Sequence, residues 1–258
     1  MGRAEKHFLM PDFSKFLAFD TSTDQLSLAV TDGVRTWQHT GPGGAQASST
    51  LVPAILALLA EAGLALGDMD AIVFGRGPGS FTGLRTACAV AQGLAFGARR
   101  GAGIAVLPVD TLLALAEEAR FQQPAALAAG PLVVAALLDA RMDEIYLQSY
   151  AFAGNAWQPL GACTLVRPEQ LAPDPSVGML AGNVFGVYAG RLPEQLHALP
   201  QATALPTAAA LLRLAPALAA AGGCVDASLA LPLYVRDKVA QTTDERAQAK
   251  AAAGLLAS

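Results

Sequence analysis

Four glycines and a proline crowd the segment Gly75-Arg76-Gly77-Pro78-Gly79-Ser80-Phe81-Thr82-Gly83-Leu84-Arg85. Glycine allows positive φ and close backbone approach, and proline fixes one bend, so this spacing describes a rigid, tightly turned loop. Ser80 stands where a helix beginning at Phe81 would need its N-cap. The N–H groups of such a turn could meet an anion or a partner's carboxylate. The same residues equally suit a capped strand-to-helix turn with no ligand. No Gly-Lys-Ser/Thr ends the loop, so it is not a Walker loop.

A second candidate is Asp20, followed by the hydroxyls of Thr21 and Ser22. A carboxylate with two neighbouring hydroxyls could face phosphate or a metal. Asp-Thr-Ser-Thr is also an ordinary Asx-type turn held by its own side chains. Asp139 is a third candidate, although Arg141 lies two residues on and offers it an ion pair. Gly182-Asn183 with Gly178, Gly186 and Gly190 could shape a loop beside a cleft, but no Lys or Ser is placed to bind there. The histidines are His7, His39 and His197, with no pair one helical turn apart, so each reads as a surface or loop residue and no metal site is expected.

These groups need a scaffold. Phe16 to Asp20, Leu26 to Val30 and Val34 to His39 read as three strands, the last pair joined by the Asp32-Gly33 turn. A Gly/Ser-rich loop, Gly41 to Ser49, leads to a helix over Thr50 to Ala62, closed by Gly63. Ala71 to Gly75 reads as a buried strand, Phe81 to Gly97 as a helix, Ile104 to Leu107 as a strand, and a further helix follows Asp110. Gln122 to Pro131 is a Pro/Ala/Gly-rich connection.

Then the opening recurs. Leu132 to Leu138 is an apolar run ending in Asp139, followed by Ala140-Arg141-Met142-Asp143 and a strand over Ile145 to Tyr150. A shift of about 119 residues superposes Asp20 on Asp139 and Asp24 on Asp143, as a duplicated strand–turn–strand unit would. Two α/β halves, each opening with a hairpin whose turn carries an Asp, form the layout of the actin-like and sugar-kinase ATPase architecture. That layout places Asp20, Thr21, Ser22 and Asp139 near one cleft, by analogy of fold. The boundaries expected are a leader over 1–15, a first subdomain over 16–113, a second over 114–236 and a tail over 237–258.

Composition narrows the functions. The chain of 258 residues is 53% hydrophobic and 15% charged, enough apolar surface for a real core and against disorder. No run of about 18 apolar residues suggests a membrane span. A formal charge of −4 with no basic stripe argues against a chain that grips RNA unaided. Cys88, Cys163 and Cys224 are far apart and include no CxxC pair, which suits reduced thiols in a cytosolic protein. The start, MGRAEKHFLMPDFSK, lacks the apolar region of a secretory signal and is expected to be a loose leader.

The string GRGPGSFTGLR resembles the signature of the bacterial TsaB (YeaZ) family at nearly every position. LAFDTSTDQLSLAV is similar to that family's opening hairpin, LLDARMDEIYLQSY to its second-half opening, and Pro232-Leu233-Tyr234-Val235-Arg236 to its C-terminal motif. The resemblance runs from Phe16 to Arg236. It implies an actin-like fold with a degenerate nucleotide cleft and kinship to the catalytic TsaD subunit. It also implies a cytoplasmic, non-catalytic role in transferring threonylcarbamoyl to an adenosine of tRNA. The implied partners are TsaD in a heterodimer, TsaE in a ternary complex, and TsaC as the source of threonylcarbamoyl-adenylate. A homodimer is a further option, and tRNA would be met only through the complex. No cofactor is expected, with ATP or ADP bound weakly or in the complex only. The sequence departs from its relatives at Ala47, which stands where they often carry a His.

The first two helices are unusually apolar. Leu51, Val52, Ile55, Leu56, Leu58 and Leu59 cover more than one face, and small residues dominate Ala87 to Ala95. Either both helices are sandwiched in the core, or one side meets another protein. The resemblance favours a partner interface, expected at Leu51, Ile55, Leu56, Leu59, Ala87, Ala91 and Leu94. An ATP-dependent phosphotransferase or carbamoyltransferase of the same fold stays open as the alternative, with a glycoprotease-like metallopeptidase behind it.

Overall fold

The first strand, β1 (Phe16–Asp20), is buried along its whole length, and its side-chain alternation sorts it between two cores. Leu17 and Phe19 face one side of the sheet while Phe16 and Ala18 face the other, as a central strand with both faces covered requires. The computed structural model describes residues 14–101, 103–123 and 131–236. The expected tail, all but the last two residues of the expected leader, and most of the Gln122–Pro131 connection lie outside the described residues, as does His7.

Around β1 lie β2 (Gln25–Thr31), β3 (Thr36–Pro42), β4 (Ala71–Gly77) and β5 (Ala105–Asp110) in the order β3-β2-β1-β4-β5. The second sheet contains β6 (Leu132–Asp139), β7 (Ile145–Ala153), β8 (Ala156–Val166), β9 (Met179–Gly182) and β10 (Gln201–Thr203). Its order, β8-β7-β6-β9-β10, repeats the first with every strand replaced by its counterpart. The pairing senses match too: antiparallel within each opening meander, parallel across to the fourth and fifth strands. Asp20 and Asp139 are the last residues of the two equivalent first strands. This is the actin-like two-subdomain α/β fold that the repeat predicts.

Among the described residues, five helices complete the layers: α1 (Ala47–Ala62), α2 (Phe81–Gly97), α3 (Thr111–Gln122), α4 (Val184–Val187) and α5 (Ala208–Ala220). Helices α1 and α2 cover the outer face of the first sheet, and α5 covers its inner face. Helix α3 covers the inner face of the second sheet, whose outer face packs under α4 and the segments after it. Between the sheets, α3 meets α5 through a buried ion network. Glu117 accepts from Arg120 (2.7 Å), Arg213 (2.9 Å) and the Trp157 indole (2.9 Å), and Glu118 accepts from Arg213 (2.6 Å) and Thr207 (2.7 Å). Burial alone would raise the Glu117 pKa, yet these donors hold it below the usual carboxylate value.

Several element boundaries differ from the sequence reading: β4 runs to Gly77 rather than Gly75, β5 spans Ala105–Asp110 rather than Ile104 to Leu107, and β7 runs to Ala153 rather than Tyr150. The third strand begins at Thr36 rather than Val34, because Asp32 Oδ1 accepts the N–H groups of Val34 (2.8 Å) and Arg35 (2.7 Å) and prolongs the turn. Helix α1 begins at Ala47 rather than Thr50, since a 3-10 turn over Gly44–Gln46 feeds directly into it. Its end is as expected, with Gly63 left-handed at φ 68.

Candidate functional site

A cleft of about 340 Å³ separates the two halves at the ends of β1 and β6. Its walls are the first-half turn (Ser22 to Asp24), the signature loop (Gly79 to Phe81), the second-half turn (Leu138 to Met142) and the C-terminal motif (Leu233 to Arg236). The four stretches that carry the family resemblance therefore converge on one place.

The signature loop is built to lie on the first hairpin turn. A Cβ on Gly75 would sit 1.8 Å from Asp20 Oδ2, one on Gly79 would sit 2.6 Å from the Ser22 carbonyl oxygen, and one on Gly83 would sit 1.9 Å from that of Thr21. Gly79 and Gly83 are thus places where backbone meets backbone, and Gly75 makes room for the Asp20 carboxylate. Hydrogen bonds close the contact: Ser80 N–H donates to Ser22 O (2.7 Å), and the Thr21 hydroxyl donates to Gly83 O (2.8 Å). Ser80 also caps α2, its Oγ accepting from Gly83 N–H at 3.4 Å. Pro78 is buried, and Thr82 is exposed at the first turn of α2. Arg76 is drawn sideways to Asp110 (2.6 Å), and Arg85 lies 3.8 Å over the Phe81 ring.

This overturns two of the expected phosphate-facing positions. Asp20 and Thr21 do not look into the cleft; they are sealed beneath the loop at 1% and 0% exposure. Asp20 Oδ1 accepts from the N–H (2.8 Å) and hydroxyl (2.6 Å) of Ser22, the Asx turn that the sequence allowed. Its Oδ2 stands near the Thr111 hydroxyl without a hydrogen-bond partner. Ser22 reaches the cleft wall but is nearly buried, with its hydroxyl spent on Asp20.

Asp139 does line the cleft, with every polar route engaged. It accepts from Tyr188 (2.7 Å) and from Arg141 N–H (2.9 Å), and its Oδ2 is 3.2 Å from Arg141 Nη1. Asn183 Oδ1 accepts the Asp139 N–H at 2.9 Å, so the Gly182-Asn183 loop positions the second-half turn. The other Arg141 nitrogen pairs with Asp24 across the cleft. The ion pair expected between Arg141 and Asp139 is present, and it extends to Asp24.

Burial pushes the Asp20 carboxyl from 3.8 up to about 6, with the Ser22 hydrogen bonds and the nearby Thr111 hydroxyl offsetting only part of it. A folded pKa above the unfolded one means that the native state binds more protons between pH 3.8 and about 6. The contribution is whole below that window and lost as pH rises through it. Asp20→Asn should therefore stabilise the protein at pH 8 by on the order of 2–3 kcal/mol relative to its effect at pH 4. Urea midpoints of both proteins across pH 4–8 check this; a pH-independent difference would mean that Asp20 is not a buried, costly charge.

The expected partner face also needs correction. Leu51, Ile55, Leu59, Ala87 and Ala91 are buried in the chain's own core, because the first sheet takes that side of both helices. They cannot face a partner. Leu56 is 56% exposed and Leu94 is partly so. The outward side of α1 is Val52, Pro53, Leu56, Ala57 and Ala60, with Ala89, Gly93 and Phe96 exposed on α2. Ala47 is fully buried at the start of α1. His39 and His197 are exposed, and among the described residues no group of three or more His, Cys, Asp or Glu could hold a metal ion. Cys88 is buried, and Cys163 and Cys224 are half-buried thiols. Among the described residues no helix is long and apolar enough to cross a membrane.

The chain matches the family model "TsaD: tRNA N6-adenosine threonylcarbamoyltransferase" over residues 40–186. It is 32% identical to the tRNA threonylcarbamoyladenosine biosynthesis protein TsaB of Haemophilus influenzae, covering 86% of this chain and 94% of that one. The Escherichia coli protein of the same name is 30% identical over 88% of this chain and 96% of its own. Among solved structures, YeaZ from Pseudomonas aeruginosa is 38% identical with a TM-score of 0.74, covering 86% of this chain and 99% of the other.

Proposed function

This chain belongs to the TsaB family, and we propose that it acts in tRNA threonylcarbamoyladenosine biosynthesis as a non-catalytic subunit that supports TsaD. One observation carries the non-catalytic reading. The position where an actin-like protein would present a carboxylate to a ligand is closed, with Asp20 and Thr21 roofed by the signature loop. On the opposite wall Asp139 is neutralised by Arg141. Among the described residues lining the cleft, a phosphate arriving here would find Arg141 and Arg236 already paired with carboxylates, and a metal would find Asp139 engaged and Asp20 sealed beneath the loop. ATP or ADP is then bound weakly by the chain alone or only within the complex.

The division of labour follows from the charges. A chain of net −4 without a basic stripe leaves tRNA to its partners. TsaD supplies the transfer chemistry, TsaE joins a ternary complex, and TsaC supplies the activated threonylcarbamoyl group. The outward side of α1 and α2 is the docking face, for TsaD or for a second copy, and the cytoplasm is the compartment that suits three unpaired thiols.

Reconstitution with TsaD, TsaE, TsaC, ATP and tRNA tests this. Omitting the chain should abolish modified tRNA, while the chain alone should hydrolyse ATP far below about one turnover per second. Turnover in the ordinary enzyme range by the lone chain would return the transferase reading.

A further inference from the structure

The C-terminal motif touches both walls of the cleft. It leaves the first half at Ala230, whose carbonyl accepts from Gln92 (2.8 Å) and from the Cys88 thiol (3.0 Å) on α2. Leu233 N–H then donates to Arg76 O (2.7 Å), and the Leu233 carbonyl lies 2.5 Å from where a Gly77 Cβ would be. Tyr234 stacks on Phe81 with ring centroids 5.5 Å apart and accepts from Arg85 at 3.2 Å. Two residues later the chain is on the other side. Arg236 donates to Glu144 (2.5 Å), to Ala140 O (3.1 Å) and to Arg141 O (3.3 Å), and its Nη1 meets Met142 Sδ at 3.2 Å.

What Arg236 holds is a strained turn. Arg141, Met142 and Asp143 take φ of 60°, 57° and 59°, a left-handed run that non-glycine residues avoid. Such a turn persists only where its surroundings over-determine it. Here the clamps are charges: Arg191 on Asp143 (2.7 Å), Arg141 on Asp24 and Asp139, and Arg236 on Glu144 and two of the turn's carbonyls. The Arg141–Asp24 pair is exposed on both sides and contributes little, whereas the Arg236 side chain is 17% exposed. The halves also meet through α3 and α5.

We propose that residues 232–236 are a latch: Arg236, seated on the β6–β7 turn, fixes how far the two halves close, and its release lets them turn about the α3–α5 contact without unfolding either. The latch also presses on the signature loop through Leu233, so the same release loosens the roof over Asp20.

Hydrogen exchange and small-angle scattering on the full chain test this. In Arg236→Ala the amides of Leu233, Ala140 and Glu144 should exchange about ten- to a hundredfold faster, the scale of lost charge-assisted hydrogen bonds. The amides of β1, β6 and α3 should keep their protection, and the radius of gyration should rise. Arg236→Lys and Glu144→Gln should fall between Arg236→Ala and the parent. Faster exchange at the strap with an unchanged radius would reduce the contact to local anchoring and overturn the latch. Loss of protection throughout β1, β6 and α3 would make Arg236 a stabiliser of the fold and overturn it equally.

Discussion

Gly83→Ala is expected to cost about 3 kcal/mol or more, the upper range for forcing an atom into a packed interior and a large share of the roughly 5–15 kcal/mol that holds a domain folded. The added Cβ would lie 1.9 Å from the Thr21 carbonyl oxygen, a backbone atom of the sheet-bound hairpin that cannot rotate away. The Thr21 hydroxyl meanwhile donates to the Gly83 carbonyl at 2.8 Å, so moving α2 outward would break that bond as well. Gly75→Ala brings a still closer approach, 1.8 Å, but to the end of the Asp20 side chain, which can turn; its cost should be the smaller. Gly93, in the same helix as Gly83, has nothing within 4 Å of its Cβ position. Gly93→Ala should be neutral or stabilising by up to about 1 kcal/mol, since alanine restricts the unfolded chain and favours helix. Urea titrations of the three variants decide the matter. Equal losses at Gly83 and Gly93 would mean that helix propensity, and not the loop's seat on the hairpin, governs these positions.

That contrast shows where sequence reading reached and where it stopped. The glycines announced a tight turn, because residue type limits φ and the space around Cα. They did not say what came close, since the Thr21 carbonyl is 62 residues away along the chain. Asp20 failed for the same reason. A short polar turn reads as solvent-facing, and its roof is supplied by a loop more than fifty residues later. The duplicated fold, in contrast, was legible at Asp20 and Asp139, because strand alternation and an apolar run ending in Asp are local signals. Arg236 was visible only as part of a motif; its partner Glu144 lies 92 residues back, and no periodicity links them. Helix α1 defeated periodicity differently. Leu51, Val52, Ile55, Leu56, Leu58 and Leu59 leave no polar side to orient it, so only contact with the sheet decides which leucines are core.

That decision sets the sharpest test of the proposed partner face. Leu56 is 56% exposed on α1, beside exposed Val52 and Ala60, while Ile55 one residue earlier is fully buried against the first sheet. Leu56→Asp should leave the melting curve of the isolated chain nearly unchanged, because its carboxylate stays in water. If TsaD docks on this face, the same carboxylate is stripped of water in the complex. An unpaired buried charge costs several kcal/mol, about a hundredfold or more in affinity. Ile55→Asp places that charge in the chain's own core and should unfold the protein before any partner is met. Gel filtration of each variant with TsaD, paired with its melting curve, separates these outcomes. Normal complex formation by Leu56→Asp and Val52→Asp would move the docking face off α1. A loss of binding by Leu56→Asp alone, with the fold intact, would place it on the side of α1 that the sheet leaves uncovered.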